Sequence, residues 1–285
     1  MKFPFIAAEK AHYPVGVLCR CLGVTRSGFY AWAGRRPSAR VLQDRELLRR
    51  LRIVHTNHRR VYGRPRLHRA LRDEGVRISP KRVARLMRAA GLTAHGRRAF
   101  RVTTDSTHRY PVAANHLDRR FAVAAPHQHW AADITALPTR AGWCYLAIVL
   151  DLGSRRIVGW ALRDSLEAEL VLAALHVALG ARPAPQLHHS DRGTQYASHA
   201  YRDLLAARGV NVSMSRAGNC WDNAPTESFF STLKAELVAG GRFAHLREAE
   251  SAVAGYLRFY NQHRLHSALD YRSPVQYEAA FGVAV

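Results

Sequence analysis

Three carboxylic acids stand where they could act together on one substrate. Asp133 lies inside an alternating apolar segment, Asp191 follows a short apolar run, and Glu227 lies in a segment with helical periodicity. Three converging carboxylates repel each other unless a cation neutralises them, and their hard oxygen donors suit Mg²⁺ or Mn²⁺. Two such ions about 4 Å apart can clamp a phosphoryl group for in-line displacement. The acids therefore indicate metal-dependent phosphoryl transfer with two ions per site.

The pattern from residue 127 onward predicts the sheet that would bring the acids together. Strand-like segments occur around Asp133, at "GWCYLAIVLDLGS", at "RRIVGWALRDS", at "PQLHHSD" and at "GVNVSMSR", with helical segments before and after the fourth. These elements predict an α/β fold with a mixed sheet of about five strands. In a sheet ordered 3-2-1-4-5, the first and fourth strands are neighbours, so Asp133 and Asp191 would lie side by side.

Glu227 is predicted to lie one turn into the helix that follows the fifth strand. That helix would begin near Asp222–Asn223, with Pro225 in its first turn. Asn223, Ser231 and Lys234 would share the face of Glu227, and Lys234 could reach a phosphate. A structural interpretation stays open here, because a single acid is often a surface charge or a cap, and Asp133 could be paired with an arginine.

The charge of the chain is concentrated in its first part. The net charge is +22, and residues 1–120 hold 28 Lys and Arg against 7 Asp and Glu, whereas the remainder holds 15 against 14. A drift of composition toward arginine would affect both parts, so this asymmetry indicates a polyanionic partner, and nucleic acid is the expected one.

Other features exclude a secreted or membrane-spanning protein. The longest uniformly apolar run, residues 143–150, is far too short to cross a bilayer. The cysteines are too few and scattered for a disulfide scaffold, which favours reduced thiols and a cytoplasmic, nucleoid-associated location. They are Cys19, Cys21, Cys144 and Cys220.

The basic first part reads as helices suited to DNA. Residues 14–33 have the pattern of a helix-turn-helix with Thr25 or Ser27 as a cap, and a helix is predicted over 41–56. A second helix pair follows, in which Ser79 precedes Pro80 and the helices stop at Gly75 and Gly91. We expect this pair to lie against a duplex, although a solvated arginine face is the alternative. The residues predicted to contact DNA here are Arg64, Arg66, Lys81, Arg82 and Arg85.

Several strings form a combination that is more specific than any one of them. They are "LCRCLGVTRSGFYAW", "YGRPRLHRAL", "ISPKRVARLMRAAGL", "WAADIT", "HSDRGTQY", "SMSRAGNCWDNAPTESFFSTLKAEL" and "FYNQHRLHSALDYRSPVQYE". With these strings the chain resembles the second-frame transposase of the insertion-sequence-three family of bacterial insertion sequences, whose core is similar to that of retroviral integrases. The resemblance covers nearly the whole chain, and 35 residues separate Asp191 from Glu227, as in that family.

The resemblance implies a ribonuclease-H-like core in which Asp133, Asp191 and Glu227 form a metal-binding catalytic (DDE) triad. It implies metal-dependent cleavage and transfer of DNA strands, and it matches Lys234 to the basic residue that contacts the end of the element. Ala132 departs from the family pattern, where threonine is expected. The expected partners are the terminal repeats and target DNA, further copies of the chain in a synaptic complex, and an upstream-frame protein with a helix-turn-helix and a leucine zipper.

The predicted organisation has four parts. Residues 1–92 form a helix-turn-helix-like region, 93–124 a basic linker, 125–238 the catalytic core and 239–285 a C-terminal helical extension. Arg192 and Trp221 are also expected to contact DNA, together with Asn223, although a core position for Trp221 is an equal alternative. His189 is expected to support a metal ligand from behind.

Three other functions stay open on the sequence. They are a non-catalytic DNA-binding protein with a degenerate core, a ribonuclease-H-like nuclease that only hydrolyses, and a zinc hydrolase that uses His188, His189 and Asp191.

Overall fold

The computed structural model describes residues 2–94, 112–216, 220–238 and 241–282. Its first three helices, α1 (Lys2–Glu9), α2 (Val15–Cys21) and α3 (Arg26–Ala33), pack around a small core of their own that contains Ile6 and Phe29. Thr25 caps α3, because its hydroxyl accepts a hydrogen bond from the amide of Gly28 at 3.1 Å. The predicted helical pair is confirmed, with Thr25 rather than Ser27 as the cap.

Three further helices form a second unit. They are α4 (Ala39–Asn57), α5 (Arg64–Asp73) and α6 (Pro80–Ala89). Ser79 caps α6 and Pro80 occupies its first turn, as predicted. Gly75 and Gly91 follow α5 and α6 with φ of +79° and +64°, a left-handed conformation that glycine adopts without strain.

The sheet has five strands in the predicted order. The strands β1 (His129–Thr139), β2 (Gly142–Asp151), β3 (Ile157–Arg163), β4 (Leu187–Ser190) and β5 (Asn211–Met214) are arranged β3-β2-β1-β4-β5. The first three pair antiparallel, whereas β4 pairs parallel to β1 and β5 parallel to β4. The sheet is therefore mixed, as expected for the α/β core.

Helices cover both faces of the sheet. The helices α7 (Ala168–Ala181), α8 (Thr194–Ala197) and α9 (His199–Ala206) pack on one face. Gly159 of β3 lets α7 approach, since a Cβ there would lie 2.2 Å from the carbonyl oxygen of Ala174. The helices α10 (Ala224–Leu233) and α11 (Leu246–Gln262) pack on the other face, and α12 (Pro274–Ala279) follows near the end of the chain. No described helix is long and apolar enough to span a bilayer.

The helical unit α4–α6 shares a core with the sheet domain. The hydroxyl of Tyr62 donates a hydrogen bond to the carbonyl of His263 and accepts one from the amide of Leu265, and each bond is 2.9 Å long. Arg66 donates from Nε to the Leu265 carbonyl at 2.8 Å. The segment predicted as a C-terminal helical extension therefore joins the N-terminal unit to the catalytic core.

The second part of the predicted linker packs against the core. Leu117 is 1% exposed, and the backbone amides of His116 and Leu117 donate to the hydroxyl of Ser213 on β5. Residues 95–111 of that linker lie outside the described residues. The described part of the predicted linker is therefore held on the core, which bonds its backbone amides and buries one apolar side chain.

Candidate active site

The register of two parallel strands brings Asp133 and Asp191 together. Ala131 of β1 is paired with His189 of β4, and each acid lies two residues further along its own strand direction. Asp191 directly follows β4, as predicted. Burial, and next the negative charge of Asp191, hold the pKa of Asp133 well above its ordinary value. The two acids therefore share one edge of the sheet and sense each other electrostatically.

Two hydrogen bonds hold the start of α10 against β1. The hydroxyl of Thr226 donates to Oδ2 of Asp133 at 3.0 Å, and the side-chain amide of Asn223 donates to the carbonyl of Ala132 at 3.2 Å. Glu227 follows Thr226, its charge also raises the pKa of Asp133, and burial raises the pKa of Glu227 itself. All three predicted acids therefore belong to one electrostatic site.

The loop after β4 fixes the carboxylate of Asp191. The amide of Gly193 donates to Oδ1 of Asp191 at 2.9 Å. The φ of Gly193 is −58°, which any residue can adopt, so a turn does not require glycine here. A Cβ at this position would lie 3.0 Å from the same Oδ1 atom. Glycine suits this position because the Asp191 carboxylate packs against the backbone, where a Cβ would crowd it.

Lys234 lies near the acids at the far end of α10. Burial lowers its pKa, and the charge of Asp133 raises it in part. Trp221 is 67% exposed in the short 3₁₀ turn before α10, so the alternative of a core position for it is wrong. Arg192 donates from Nε to the carbonyl of Ser215, a contact that holds its side chain against the loop after β5.

The two adjacent histidines of β4 point to opposite faces of the sheet. The ring of His188 bonds the hydroxyl of Tyr201 at 2.8 Å, whereas the ring of His189 lies 2.9 Å from Ser213 Oγ and 3.2 Å from Ser215 Oγ. Strand alternation separates the two rings, so the zinc-hydrolase alternative is wrong. His189 joins β4 to β5 rather than contacting Asp191 in any described hydrogen bond.

The basic residues predicted to contact DNA divide into two groups. Arg64 and Lys81 are exposed at the starts of α5 and α6. Arg82 and Arg85 instead bond the carboxylate of Asp44 on α4, at 2.8 and 2.6 Å. These bonds hold α4 against α6, and a contact of these two arginines with DNA stays a prediction.

Two further residues predicted to contact DNA lie away from the outer surface. Arg66 is half-buried with its Nε bonded to Leu265, so it is absent from the outer face of α5. Asn223 is 5% exposed and its amide group bonds Ala132, so it positions α10 rather than facing DNA.

Sequence reasoning missed the function of Asp222. This buried carboxylate accepts hydrogen bonds from Arg216, Arg119 and Asn115 at 2.9–3.0 Å. The hydrogen bond from Arg216 is the main cause that lowers its pKa. Asp222 thus anchors the chain just before α10 to the docked part of the linker. Its position before a helix signalled a cap, but its partners are distant in sequence.

The side chains present fit a hard divalent cation in their chemistry. Asp133, Asp191 and Glu227 offer carboxylate oxygens. Burial is the main cause that raises the pKa of Asp133, and the charges of Asp191 and Glu227 add a repulsion that a cation would relieve. Within the described parts of the chain, no group of three or more His, Cys, Asp or Glu side chains is arranged so that it could hold a metal ion. The donor set suits Mg²⁺ or Mn²⁺, which keep water and substrate oxygens as further ligands.

Family models match most of the chain. An integrase core domain model matches residues 123–220, a second integrase core domain model matches 208–274, and an HTH-like domain model matches 42–100. The matches confirm the predicted helix-turn-helix-like region and the integrase-type core. A solved structure of the HTLV-2 integrase catalytic core domain is 15% identical with a TM-score of 0.44, covering 54% of this chain and 98% of that chain.

Curated relatives match over almost their whole length. "Transposase InsF for insertion sequence IS3A" from Escherichia coli (strain K12) is 38% identical over 286 residues, covering 98% of each chain. "Insertion element IS600 uncharacterized 31 kDa protein" from Shigella sonnei is 41% identical over 267 residues, covering 93% of this chain and 98% of the relative. Together with the integrase core, these similarities show that the chain belongs to the InsF-type transposases of the IS3 family.

Proposed function

We propose that the chain cuts DNA at the ends of an insertion sequence and joins those ends to new DNA, with Asp133, Asp191 and Glu227 as its catalytic and metal-binding acids. The observation that carries this proposal is the strand register that places Asp133 and Asp191 at one edge of the sheet, with the helix of Glu227 hydrogen-bonded to Asp133 through Thr226. Membership of a transposase family supports the reaction class.

The reaction would proceed in two phosphoryl transfers. Water attacks a phosphorus atom at the element's end, the bond from phosphorus to the 3′-oxygen breaks, and that oxygen leaves as a 3′-hydroxyl. The new 3′-hydroxyl then attacks a phosphorus atom of target DNA in line and displaces another 3′-oxygen. Two Mg²⁺ or Mn²⁺ ions, when bound, would supply the positive charge that such transfers need.

The side chains of this chain would then have distinct tasks. Asp133, Asp191 and Glu227 hold the cations, and Thr226 orients the carboxylate of Asp133 by its hydrogen bond. Lys234 lies close enough to Asp133 to interact with it electrostatically, which suits a contact with a phosphate beside the scissile bond. The exposed ring of Trp221 suits stacking on an unpaired base.

DNA binding would use the exposed basic residues at the starts of α5 and α6. Arg64 and Lys81 at the helix starts are suited to phosphate contacts. Synapsis of two ends requires more than one copy of the chain, and the upstream-frame protein would add sequence-specific binding. We place the reaction in the bacterial cytoplasm at the nucleoid.

A strand-transfer assay with a precut 3′ end separates this proposal from its rivals. We expect joining of the precut strand to a target duplex in Mg²⁺, and its loss in Glu227→Gln. The exposed Glu169→Gln serves as the matched control and should join at the wild-type rate. Cleavage without joining would favour a hydrolytic nuclease, and binding without cleavage would favour a non-catalytic protein.

A further inference from the structure

A cavity of about 330 Å³ lies beside a face of α10 that does not include Glu227. It is bounded by the N-terminal unit, the turn between β2 and β3, and the segment that follows α11. Three arginines from these separate regions, Arg66, Arg155 and Arg264, line it together with His266. Convergence of three guanidinium groups on one cavity requires a source of negative charge.

Among the described residues, only one of these arginines has a carboxylate within salt-bridge distance. Arg264 forms an ion pair with Glu236 at 2.7 Å. Arg66 bonds the carbonyl of Leu265 through Nε, and Arg155 reaches only the carbonyl of Phe121, at 3.5 Å. No described carboxylate forms a salt bridge with Arg66 or Arg155. Burial lowers the pKa of both guanidinium groups, so each pays a desolvation cost without an ionic partner.

Arg155 is held in place by its neighbours. The carboxylate of Asp151 accepts from the amide of Ser154 at 2.8 Å, and the next residue, Arg156, pairs with Glu278. Arg155 has a φ of +59°, which is uncommon for a residue with a side chain. Glu278 of α12 thus pairs with Arg156, whereas Arg155, in a strained backbone conformation, lines the cavity.

The imidazole of His266 carries an independent sign of a missing ligand. The residue is 9% exposed, and its Nε2 atom is buried without a hydrogen-bond partner among the described residues. Burial and the charges of Arg264, Arg66 and Arg155 lower its pKa. The same three arginines therefore surround a buried ring nitrogen without a described partner, which indicates that a polar ligand belongs in this cavity.

We propose that this cavity binds a phosphate group, supplied either by a DNA backbone or by a free phosphate compound. Planar guanidinium groups bind phosphate through paired donors, and a volume of about 330 Å³ can admit one phosphate group with part of its attached molecule. The inference rests on the proposed function only in naming DNA as one source. Because Arg66 belongs to α5 and the cavity also borders Ser228 of α10, a bound phosphate would join the DNA-binding unit to the helix of Glu227.

Thermal unfolding of the full chain tests the site without any catalytic step. We expect inorganic phosphate to raise the melting temperature of the wild type more than sodium chloride does at equal ionic strength. Arg155→Gln should lose this difference, and its melting temperature without phosphate should not fall, since an uncompensated charge is removed. Arg66→Gln is a second variant with the same expected loss of response. The exposed Arg258→Gln on α11 is the matched control and should respond as the wild type does.

Binding of a DNA duplex across a range of salt concentrations separates the two sources of phosphate. A several-fold weaker affinity for Arg155→Gln, with a salt slope reduced by about one, supports a contact with the DNA backbone. A phosphate response with unchanged DNA binding supports a free phosphate compound. An equal response of the wild type, Arg155→Gln and Arg66→Gln to phosphate would overturn the proposal. These readouts need no strand cleavage, so a catalytically inactive chain would contradict only the proposed function.

Discussion

The hydroxyl of Thr226 donates a hydrogen bond to Oδ2 of Asp133 at 3.0 Å, so the residue next to Glu227 is hydrogen-bonded to the acid on β1. The same hydroxyl lies 2.9 Å from the carbonyl oxygen of Asn223, the N-cap residue of α10. This bond connects two elements that are 93 residues apart in sequence and fixes the distance between two of the three acids.

Thr226→Val removes that hydrogen bond with little change of volume. We expect DNA cleavage at low Mg²⁺ to fall about tenfold, because the Asp133 carboxylate loses its orienting donor, and excess Mg²⁺ should restore part of it. Cleavage rates measured over a Mg²⁺ titration test this expectation. Thr139→Val removes a hydroxyl bonded to Gly142 at the far end of β1 and should leave the titration unchanged. The same Mg²⁺ dependence in both variants would contradict the role of Thr226.

Asp222→Asn should destabilise the segment that leads into α10. The change removes the carboxylate that Arg119 and Arg216 share, which should lower the free energy of unfolding by about 2 kcal/mol. Because the pKa of Asp222 is lowered in the fold, its contribution is present above its ordinary pKa and is lost as the pH falls below that value. Denaturant unfolding at pH 7 and pH 3 measures both effects, and the exposed Asp164→Asn is the control. An equal loss of stability in the two variants would show that Asp222 is no anchor.

Tyr62→Phe should weaken the junction between the N-terminal unit and the core. It leaves the carbonyl of His263 and the amide of Leu265 without their shared hydroxyl, a loss of about 1–3 kcal/mol for buried polar groups. Limited proteolysis should then cut faster near this junction than in wild type. Tyr30→Phe alters an exposed tyrosine of α3, and the protease should cut this variant at the wild-type rate. Unchanged proteolysis of Tyr62→Phe would mean that the junction depends on apolar packing alone.

The stability of the fold should fall as the pH drops from 7 to 5, in part through His188. Burial lowers the pKa of His188 to about 3, so the unfolded chain takes up a proton near pH 6.5 whereas the folded chain does not. The resulting loss is about 2 kcal/mol between pH 7 and pH 5. His188→Gln should show a correspondingly smaller fall, while the exposed His176→Gln should behave as wild type. Equal pH dependence in all three proteins would contradict a neutral, buried His188.

The strands themselves and the strand-end position of Asp191 were predictable because they depend on local signals. Alternation, buried runs and caps such as Ser79 report directly on strands and helix starts. The partners of Arg82 and Arg85 were not predictable, since Asp44 is 38 and 41 residues away and nothing in the helix pattern points to it. The same limit hid the bond from Thr226 to Asp133.

The docking of Leu117 shows a related limit. Its segment is polar and lacks periodicity, which indicated a linker, yet the hydroxyl of Ser213 on β5 satisfies two of its backbone amides. At Gly193, likewise, the Asp191 carboxylate lies against the space that a side chain would need. Such contacts depend on tertiary structure and leave no periodic trace in the sequence.

Cleavage and joining of a duplex that carries the element's terminal repeats tests the central claim most directly. In Mg²⁺ the wild-type chain should nick the repeat and transfer its 3′ end, chelation of the metal should abolish both steps, and Asp191→Asn should reduce both by at least about a hundredfold. Asp203→Asn, which alters an exposed acid on α9, should retain wild-type rates. Nicking and joining by Asp191→Asn at the wild-type rate would contradict the assignment of the three acids as the catalytic centre.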